Sequence, residues 1–149
     1  MNTNSNSPAQ PATVHELDGA ASLAKSILIV ENDTEFAESL RSFLEGLGYH
    51  VDSALDGVFG IRKIMSKDYG IILCDMVMPN LAGDMFYKGV ERVKPHLCRR
   101  FVFMTGYSDD KKIDEFIRNV RGLALWKPFK LNVLVEAIQA VEIRVKQDA

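Results

Sequence analysis

Several features that direct a protein to a particular environment are missing from this sequence. Two cysteines in 149 residues cannot form a disulfide framework, so both thiols are expected to be reduced, as in a cytoplasmic protein. No apolar run reaches the length of a membrane span, and the N-terminus lacks the basic-then-apolar order of a signal peptide. The formal net charge is -2 and there is no basic stripe, which argues against direct binding to nucleic acid.

The common glycine-rich phosphate motifs are also missing. Gly-x-Gly-x-x-Gly does not follow the first apolar run and Gly-x-x-x-x-Gly-Lys-Ser/Thr does not occur, so nucleotide sites of these types lack support. The composition is that of an ordinary globular protein, 47% hydrophobic and 26% charged, and the length suggests one domain. Asn, Ser, Pro, Gln, Thr and Ala dominate residues 1–25, which predicts a flexible tail before a domain at 26–146 and a short end at 147–149.

Five short strand-like runs alternate with amphipathic segments along the rest of the chain. Four of the runs are typical of buried strands, whereas the second only alternates weakly and is expected at an edge of the sheet; each segment between carries apolar residues at helical spacing. The predicted strands span 26–30, 49–54, 71–75, 100–104 and 123–126. This alternation predicts an α/β fold with a parallel sheet, right-handed crossovers and helices on both faces.

The predicted helices carry local signals of their own. Asp33 is a candidate cap of the first helix, and Ser108 or Asp109 is a candidate cap of the fourth. The second helix is marked by three apolar residues at helical spacing, Val58, Ile61 and Met65.

The third apolar run ends in one carboxylate, Asp75, which is followed by turn and loop residues. Ligands of open α/β sheets bind beyond the carboxyl ends of the strands, so Asp75 occupies a position where chemistry is commonly done. The alternative is that Asp75 only caps the following turn, because Asp commonly bonds its own backbone there.

Polar residues reach the same edge of the predicted sheet from other strands. The first strand is followed by Glu31 and Asn32, the fourth by Thr105 and the fifth by Lys127, and each alone also fits an ordinary structural role. Together they have a coherent chemistry, because two carboxylates can hold Mg2+ and a carboxylate can attack phosphorus. A hydroxyl and an ammonium can then hold the oxygens of an attached phosphoryl group.

This set of residues resembles the receiver domain of two-component response regulators. The resemblance covers about residues 26 to 146, and the part from Gly83 to Gly106 is most similar to receivers attached to hybrid histidine kinases. The motifs that carry it are Glu31-Asn32, Asp75-Met76-Val77-Met78-Pro79, Thr105-Gly106 and Lys127-Pro128-Phe129. It implies a flavodoxin-like (βα)5 doubly wound sheet with strand order 2-1-3-4-5.

The resemblance also implies a phosphoacceptor rather than an enzyme with a separate substrate. Asp75 would accept a phosphoryl group from a phosphohistidine of a histidine kinase or phosphotransfer protein. Mg2+ would be held by Asp75, by Glu31 and Asn32, and by the backbone carbonyl of Val77, and it would serve phosphoryl transfer and self-dephosphorylation.

Further roles follow from the same resemblance. Lys127 would pair with the phosphoryl group, Thr105 would bond it after transfer, and the Lys127–Pro128 peptide would be cis. The face formed by the fourth helix, fifth strand and fifth helix would signal to a downstream protein target. Ala124 and Trp126 share one side of the fifth strand, so we expect them at this output surface, with Trp126 partly exposed.

Two departures from the family keep other interpretations open. Asn32 stands where the family has a second acid, which predicts weaker Mg2+ binding, and Ala124 replaces the Tyr or Phe that usually couples to the threonine. A degenerate receiver that docks partners without phosphorylation is therefore the main alternative. A haloacid-dehalogenase-like phosphatase would need a second acid two residues after Asp75, where Val77 stands.

Overall fold

The computed structural model describes residues 23–106 and 110–148, in which strands and helices alternate. The strands are β1 Ser26–Val30, β2 His50–Ala54, β3 Ile71–Asp75, β4 Phe101–Thr105 and β5 Leu123–Trp126. The helices are α1 Thr34–Gly46, α2 Gly57–Ser66, α3 Gly83–Val93, α4 Lys111–Asn119 and α5 Leu131–Asp148, with a short 3-10 helix, Pro95–Arg100, before β4. The predicted alternation is confirmed, and strand bounds shift by one residue only at β2 and β4.

The strands form one parallel sheet in the order β2-β1-β3-β4-β5. The register sets Val30 opposite Cys74 and Asp75 opposite Met104, so the strands end nearly level. Because parallel strands point their carboxyl ends the same way, the residues that end or follow β1, β3, β4 and β5 meet at one edge. The predicted fold class and strand order are both confirmed.

Apolar side chains pack against both faces of this sheet. Successive residues of a strand point to opposite faces, and β1, β3 and β4 are buried along their whole length. The core under α2, α3 and α4 includes the rings of Tyr69, Phe86, Tyr87, Phe101 and Phe103. The core under α1 and α5 includes Leu40, Leu44, Leu134, Ile138 and Val141. The sheet is thus covered on both sides and chemistry is left to its edges.

The caps of two helices test the local predictions. Asp33 caps α1 as predicted, because its Oδ1 accepts a hydrogen bond from the backbone N–H of Phe36 at 3.0 Å. Helix α4 is capped by Asp110, whose carboxylate accepts from two backbone N–H groups of the first turn. The predicted caps, Ser108 and Asp109, lie outside the described residues, so the cap of α4 was predicted one or two positions too early.

The structure begins inside the predicted tail. Residues 1–22 of that tail lie outside the described residues, whereas Leu23 and Ala24 are helical and Ser26 Oγ donates to the carbonyl of Leu23 at 2.6 Å. Within the two described segments, no helix combines the length and the apolar character that crossing a membrane requires.

Candidate functional site

Acidic and hydroxyl side chains are buried at the carboxyl edge of the sheet. Glu31 follows β1, Asp75 ends β3 and Thr105 ends β4, with exposed fractions of 2%, 6% and 0%. Lys127 follows β5 and donates its backbone N–H to the carbonyl of Thr105 at 2.7 Å. The edge therefore gathers the residues that the sequence singled out, on elements fixed by the sheet.

Lys127 joins the two buried carboxylates. Its Nζ lies 2.9 Å from Glu31 Oε2 and 3.2 Å from Asp75 Oδ2, so one ammonium donates to both acids. The lysine side chain is itself only 25% exposed. Two acidic side chains are thus held next to one ammonium, in surroundings where burial strengthens electrostatic interactions.

The other oxygen of each acid accepts a backbone N–H. Asp33 N donates to Glu31 Oε1 and Val77 N donates to Asp75 Oδ1, each at 3.1 Å. At the end of this loop, a Cβ on Gly83 would lie 2.6 Å from the carbonyl oxygen of Asp75, so the close approach requires glycine. Both carboxylates are therefore fixed in orientation as well as position.

The electrostatics of the site follow from burial and from the neighbouring charges. Burial, and next the proximity of Asp75, raise the pKa of Glu31 from its ordinary 4.5 to about 7, against the opposing effect of Lys127. Burial alone would lower the pKa of Lys127, but the two carboxylates outweigh it and the net shift is upward. The lysine therefore stays charged at neutral pH while Glu31 is poised between its two forms.

An aromatic ring borders Lys127 on another side. The Nζ lies over the ring of Phe36, 4.6 Å from its centroid. Phe36 also meets Phe129 edge-to-face, with ring centroids 5.9 Å apart. The peptide bond between Lys127 and Pro128 is cis, as predicted.

The loop after Asp75 is tied to α2. Asn80, whose φ is 68°, donates its Nδ2 to Asp56 Oδ2 at 2.8 Å. The other oxygen of Asp56 caps α2 by accepting from the backbone N–H groups of Val58 and Phe59, at 2.9 and 3.0 Å. The loop that carries Val77 is thus anchored to a neighbouring helix.

The remaining predicted residues lie around the buried centre. Asn32 is exposed beside Glu31, and the side chain of Val77 is exposed. Trp126 is 40% exposed, in agreement with the predicted partial exposure, and Ala124 packs against the core under α2, α3 and α4. Among the residues that the structure describes, no group of three or more His, Cys, Asp or Glu side chains is placed to hold a metal ion.

Three residues at this site were missed from the sequence. Phe36 has the spacing of an ordinary core residue of α1, so its contact with a lysine had no local signal. Asp56 precedes an apolar helical pattern, and this capping signature could have identified it. Asn80 could only be recognised as a turn residue.

Comparison with known proteins places the chain among signalling domains. It matches the family profile of the response regulator receiver domain over residues 27–139. It is 28% identical over 119 residues to the response regulator receiver protein CpdR of Brucella abortus (strain 2308), covering 80% of this chain and 98% of CpdR. It is 29% identical over 139 residues to the sensor kinase CckA of the same strain, covering 89% of this chain and 13% of CckA.

A further relative, like CckA, is longer than the region that this chain matches. The chain is 25% identical over 115 residues to the regulatory protein VanRB of Enterococcus faecalis (strain ATCC 700802 / V583), covering 77% of this chain and 51% of VanRB. The chain therefore spans nearly all of CpdR, about half of VanRB and a small part of CckA.

Solved structures agree with this assignment. A CheY-like receiver domain protein from Methanospirillum hungatei JF-1 superimposes with a TM-score of 0.77 at 25% identity, covering 84% of this chain and 98% of that one. The response regulator TrrA of Thermotoga maritima, in complex with Mg(2+)-BeF, shares the fold with a TM-score of 0.68 at 24% identity, covering 78% and 98%. The sequence match, the strand order and the buried acids at the sheet edge agree, and the chain belongs to the response regulator receiver domain family of two-component systems.

Proposed function

We propose that this receiver domain is phosphorylated on Asp75 by a phosphohistidine of a histidine kinase or phosphotransfer protein. The observation that carries the proposal is the position of Lys127 Nζ between Glu31 Oε2 and Asp75 Oδ2, at 2.9 and 3.2 Å. An ammonium so placed can stay with Asp75 as negative charge builds up on an attached phosphoryl group. The domain then signals by contact with a downstream protein target.

The transfer step balances with the groups at hand. A carboxylate oxygen of Asp75 forms a bond to phosphorus while the bond from phosphorus to the imidazole nitrogen breaks. The imidazole keeps the electron pair and takes up a proton from solvent. The acyl phosphate carries more negative charge than the carboxylate it replaces, so Lys127 and the hydroxyl of Thr105 are assigned as donors to its oxygens.

The residues present fit Mg2+, which commonly binds one or two carboxylates together with waters and phosphate oxygens. Glu31 and Asp75 supply two carboxylates at one edge of the sheet, where both are buried. We assign these two acids, the amide oxygen of Asn32 and the backbone carbonyl of Val77 as its ligands. When bound, Mg2+ supplies positive charge for phosphoryl transfer to Asp75 and for the later self-dephosphorylation.

The remaining parts of the proposal concern the rest of the chain. The receiver domain is assigned to residues 26–146, and Ala124 and Trp126 are assigned to the output surface. The free thiols of Cys74 and Cys98 are compatible with a cytoplasmic location. Direct binding to nucleic acid is not proposed.

A degenerate receiver that docks partners without phosphorylation is the alternative. Asn32 and Ala124 favour it, because both depart from the family pattern. The paired and oriented carboxylates of Glu31 and Asp75 argue against it, since a docking module has no need for buried charges, which are costly to keep. Phosphorylation on Asp75 is therefore the better-supported function.

Labelling with a small phosphodonor tests the proposal. Purified protein is incubated with acetyl phosphate and Mg2+, and intact mass spectrometry measures the addition of one phosphoryl group. We expect labelling of the wild type and its complete loss in Asp75→Asn, because the amide cannot attack phosphorus.

Asp84→Asn is the matched control, because Asp84 is another acid near the start of α3. This variant should be labelled at the wild-type rate. Labelling of Asp75→Asn at a comparable rate would contradict the assignment of Asp75. An unlabelled wild type that still binds a partner kinase would favour the docking module.

A further inference from the structure

The ammonium of Lys127 is surrounded by three groups, of which only two are charged. Glu31 and Asp75 each accept one of its N–H donors, at 2.9 and 3.2 Å. The ring of Phe36 lies below the Nζ, with its centroid 4.6 Å away. This distance is within the range of about 6 Å in which a ring face attracts a cation.

The ring is itself held in place from two sides. Phe36 lies in the first turn of α1, where its backbone N–H donates to the capping Asp33 Oδ1 at 3.0 Å. Its ring meets Phe129 edge-to-face at an interplanar angle of 69°. The start of α1 and the ring of Phe129 thus hold one face of the Phe36 ring against the ammonium.

This arrangement solves a problem specific to a long flexible side chain. Lys127 has several rotatable bonds, and its paired position carries a cost in side-chain entropy. The face of the Phe36 ring is an apolar surface that also carries the negative side of the ring quadrupole. It therefore favours a cation over an uncharged group. A leucine at this position would keep an apolar side chain but lose the attraction.

We propose that Phe36 is a positioning residue that holds the Lys127 ammonium at the level of the Glu31 and Asp75 carboxylates through the face of its ring. The ring touches no reacting atom and acts through the lysine. Its effect on phosphoryl transfer rests on the proposed function of Asp75. The contact between ring and ammonium does not, so the two can be tested separately.

The contact is tested by NMR of the wild type and of Phe36→Leu, Phe36→Tyr and Phe43→Leu. Protons above a ring face are shifted upfield, so the terminal methylene protons of Lys127 should resonate upfield of those of the exposed Lys130. Phe36→Leu should abolish this shift and Phe36→Tyr should keep it. Phe43→Leu, also half-buried on α1 and packed against the same core, should leave it unchanged.

The consequence is tested by the initial rate of labelling with acetyl phosphate and Mg2+. Phe36→Leu should slow labelling by about fivefold, within the range of a partly desolvated cation–π contact. Phe36→Tyr should restore the rate to within about twofold, because it keeps the ring face. A loss of packing alone would slow Phe43→Leu equally, and that result would overturn the proposal.

Two further results separate failure of this proposal from failure of the proposed function. A Lys127 methylene that resonates with Lys130 in the wild type would overturn the role of Phe36, even if Asp75 is labelled normally. A wild type that is never labelled but shows the upfield shift, lost in Phe36→Leu, would support the contact and reject the phosphoacceptor.

Discussion

Two neighbouring halves of the molecule are built from different interactions: one lies at the carboxyl edge of the sheet and the other in the core under α3 and α4. In the acid half, formed by Glu31, Asp75 and Lys127, each carboxylate oxygen accepts a hydrogen bond of 3.2 Å or shorter. In the aromatic half, formed by Tyr87 of α3, Phe103 of β4 and Phe116 of α4, the rings meet with centroids 5.5 to 5.9 Å apart. Charged atoms fix one half, and packed rings fix the other.

The difference indicates where the molecule can tolerate change. A misplaced charge in a buried site costs much more than a shifted ring, because ring contacts are worth about 0.5–1.5 kcal/mol each beyond their burial. The replacement of the usual aromatic by Ala124, which pairs with Phe103 in the sheet, falls in the aromatic half. Substitutions in the acid half should therefore have the larger effects.

The largest effect is expected from Lys127→Met. The methionine keeps the unbranched apolar part of the side chain but leaves Glu31 and Asp75 without their shared cation. Removing one preorganised charge-stabilising donor commonly costs about a hundredfold or more in rate. The initial rate of labelling by acetyl phosphate should fall by about that factor.

Lys130→Met is the control for this substitution, because Lys130 is exposed just before α5. Its labelling rate should match the wild type. A fall of less than about threefold in Lys127→Met would show that the acid half does not depend on its lysine.

The second effect is a dependence of stability on pH in the absence of divalent cations. The folded protein raises the pKa of Glu31 from 4.5 to about 7, so between these values the folded state binds a proton that the unfolded state has released. The free energy of unfolding must then fall as pH rises through this window, by roughly 1.4 kcal/mol for each tenfold difference between the acid dissociation constants of the folded and unfolded states. Urea unfolding in EDTA at several pH values between 4.5 and 8 measures it.

Glu31→Gln isolates this contribution, because the amide does not titrate. The free energy of unfolding of this variant should fall less between pH 4.5 and 8 than that of the wild type. Parallel curves for the two proteins would contradict the assignment of the shifted pKa to Glu31.

The architecture was accessible from the sequence because it rests on local patterns. Short apolar runs bounded by turn residues identify the buried strands, and Asp33 is a cap that the sequence itself displays. The buried face of α2 was harder to predict. Val58 and Met65, which marked this helix in the sequence, are 45% and 60% exposed. The buried face is formed by Gly57, Gly60 and Ile64. A search for apolar residues at helical spacing does not identify glycines as buried residues.

The close packing behind α2 explains why glycine is used there. A Cβ on Gly60 would lie 2.9 Å from the ring of Phe86, and one on Gly57 would lie 2.8 Å from Leu81. The helix can therefore approach its neighbours only without side chains at these positions. A pattern of apolar residues cannot reveal such a contact.

The site was predictable in composition but not in its contacts. The predicted strand ends place Glu31, Asp75 and Lys127 at one edge of the sheet. Glu31 and Lys127 are 96 residues apart, however, and neither sequence segment indicates that they form a direct ion pair. The bond from Asn80 to Asp56 likewise joins residues 24 positions apart. Such pairs depend on side-chain positions that only the folded protein defines.

A smaller effect is expected at the rim of the acid half. Asn32→Asp would add a negative charge beside Glu31, where the wild type offers only an amide oxygen. An added charge about 4 Å from a divalent cation contributes on the order of 1–2 kcal/mol in water-like surroundings, so Mg2+ should bind about tenfold more tightly. Isothermal titration with Mg2+ measures this affinity.

Asn119→Asp is the matched control for added charge, because Asn119 is exposed at the end of α4. Its affinity for Mg2+ should equal that of the wild type. An Asn32→Asp variant that binds Mg2+ no more tightly would show that this position does not contribute to the metal site.

The smallest effect is expected at β5, which borders the aromatic half and carries Trp126, the only tryptophan of the chain. Trp126 pairs with Thr105 in the sheet and is 40% exposed, and the next residue is bonded to the Thr105 carbonyl at 2.7 Å. Movement of Thr105 towards a phosphoryl mimic should therefore change the surroundings of the Trp126 indole. Beryllofluoride with Mg2+ should alter the emission or acrylamide quenching of Trp126 slightly in the wild type and not in Asp75→Asn. Unchanged emission and quenching, with ligand binding at Asp75 established by NMR, would show that the acid half does not communicate with β5.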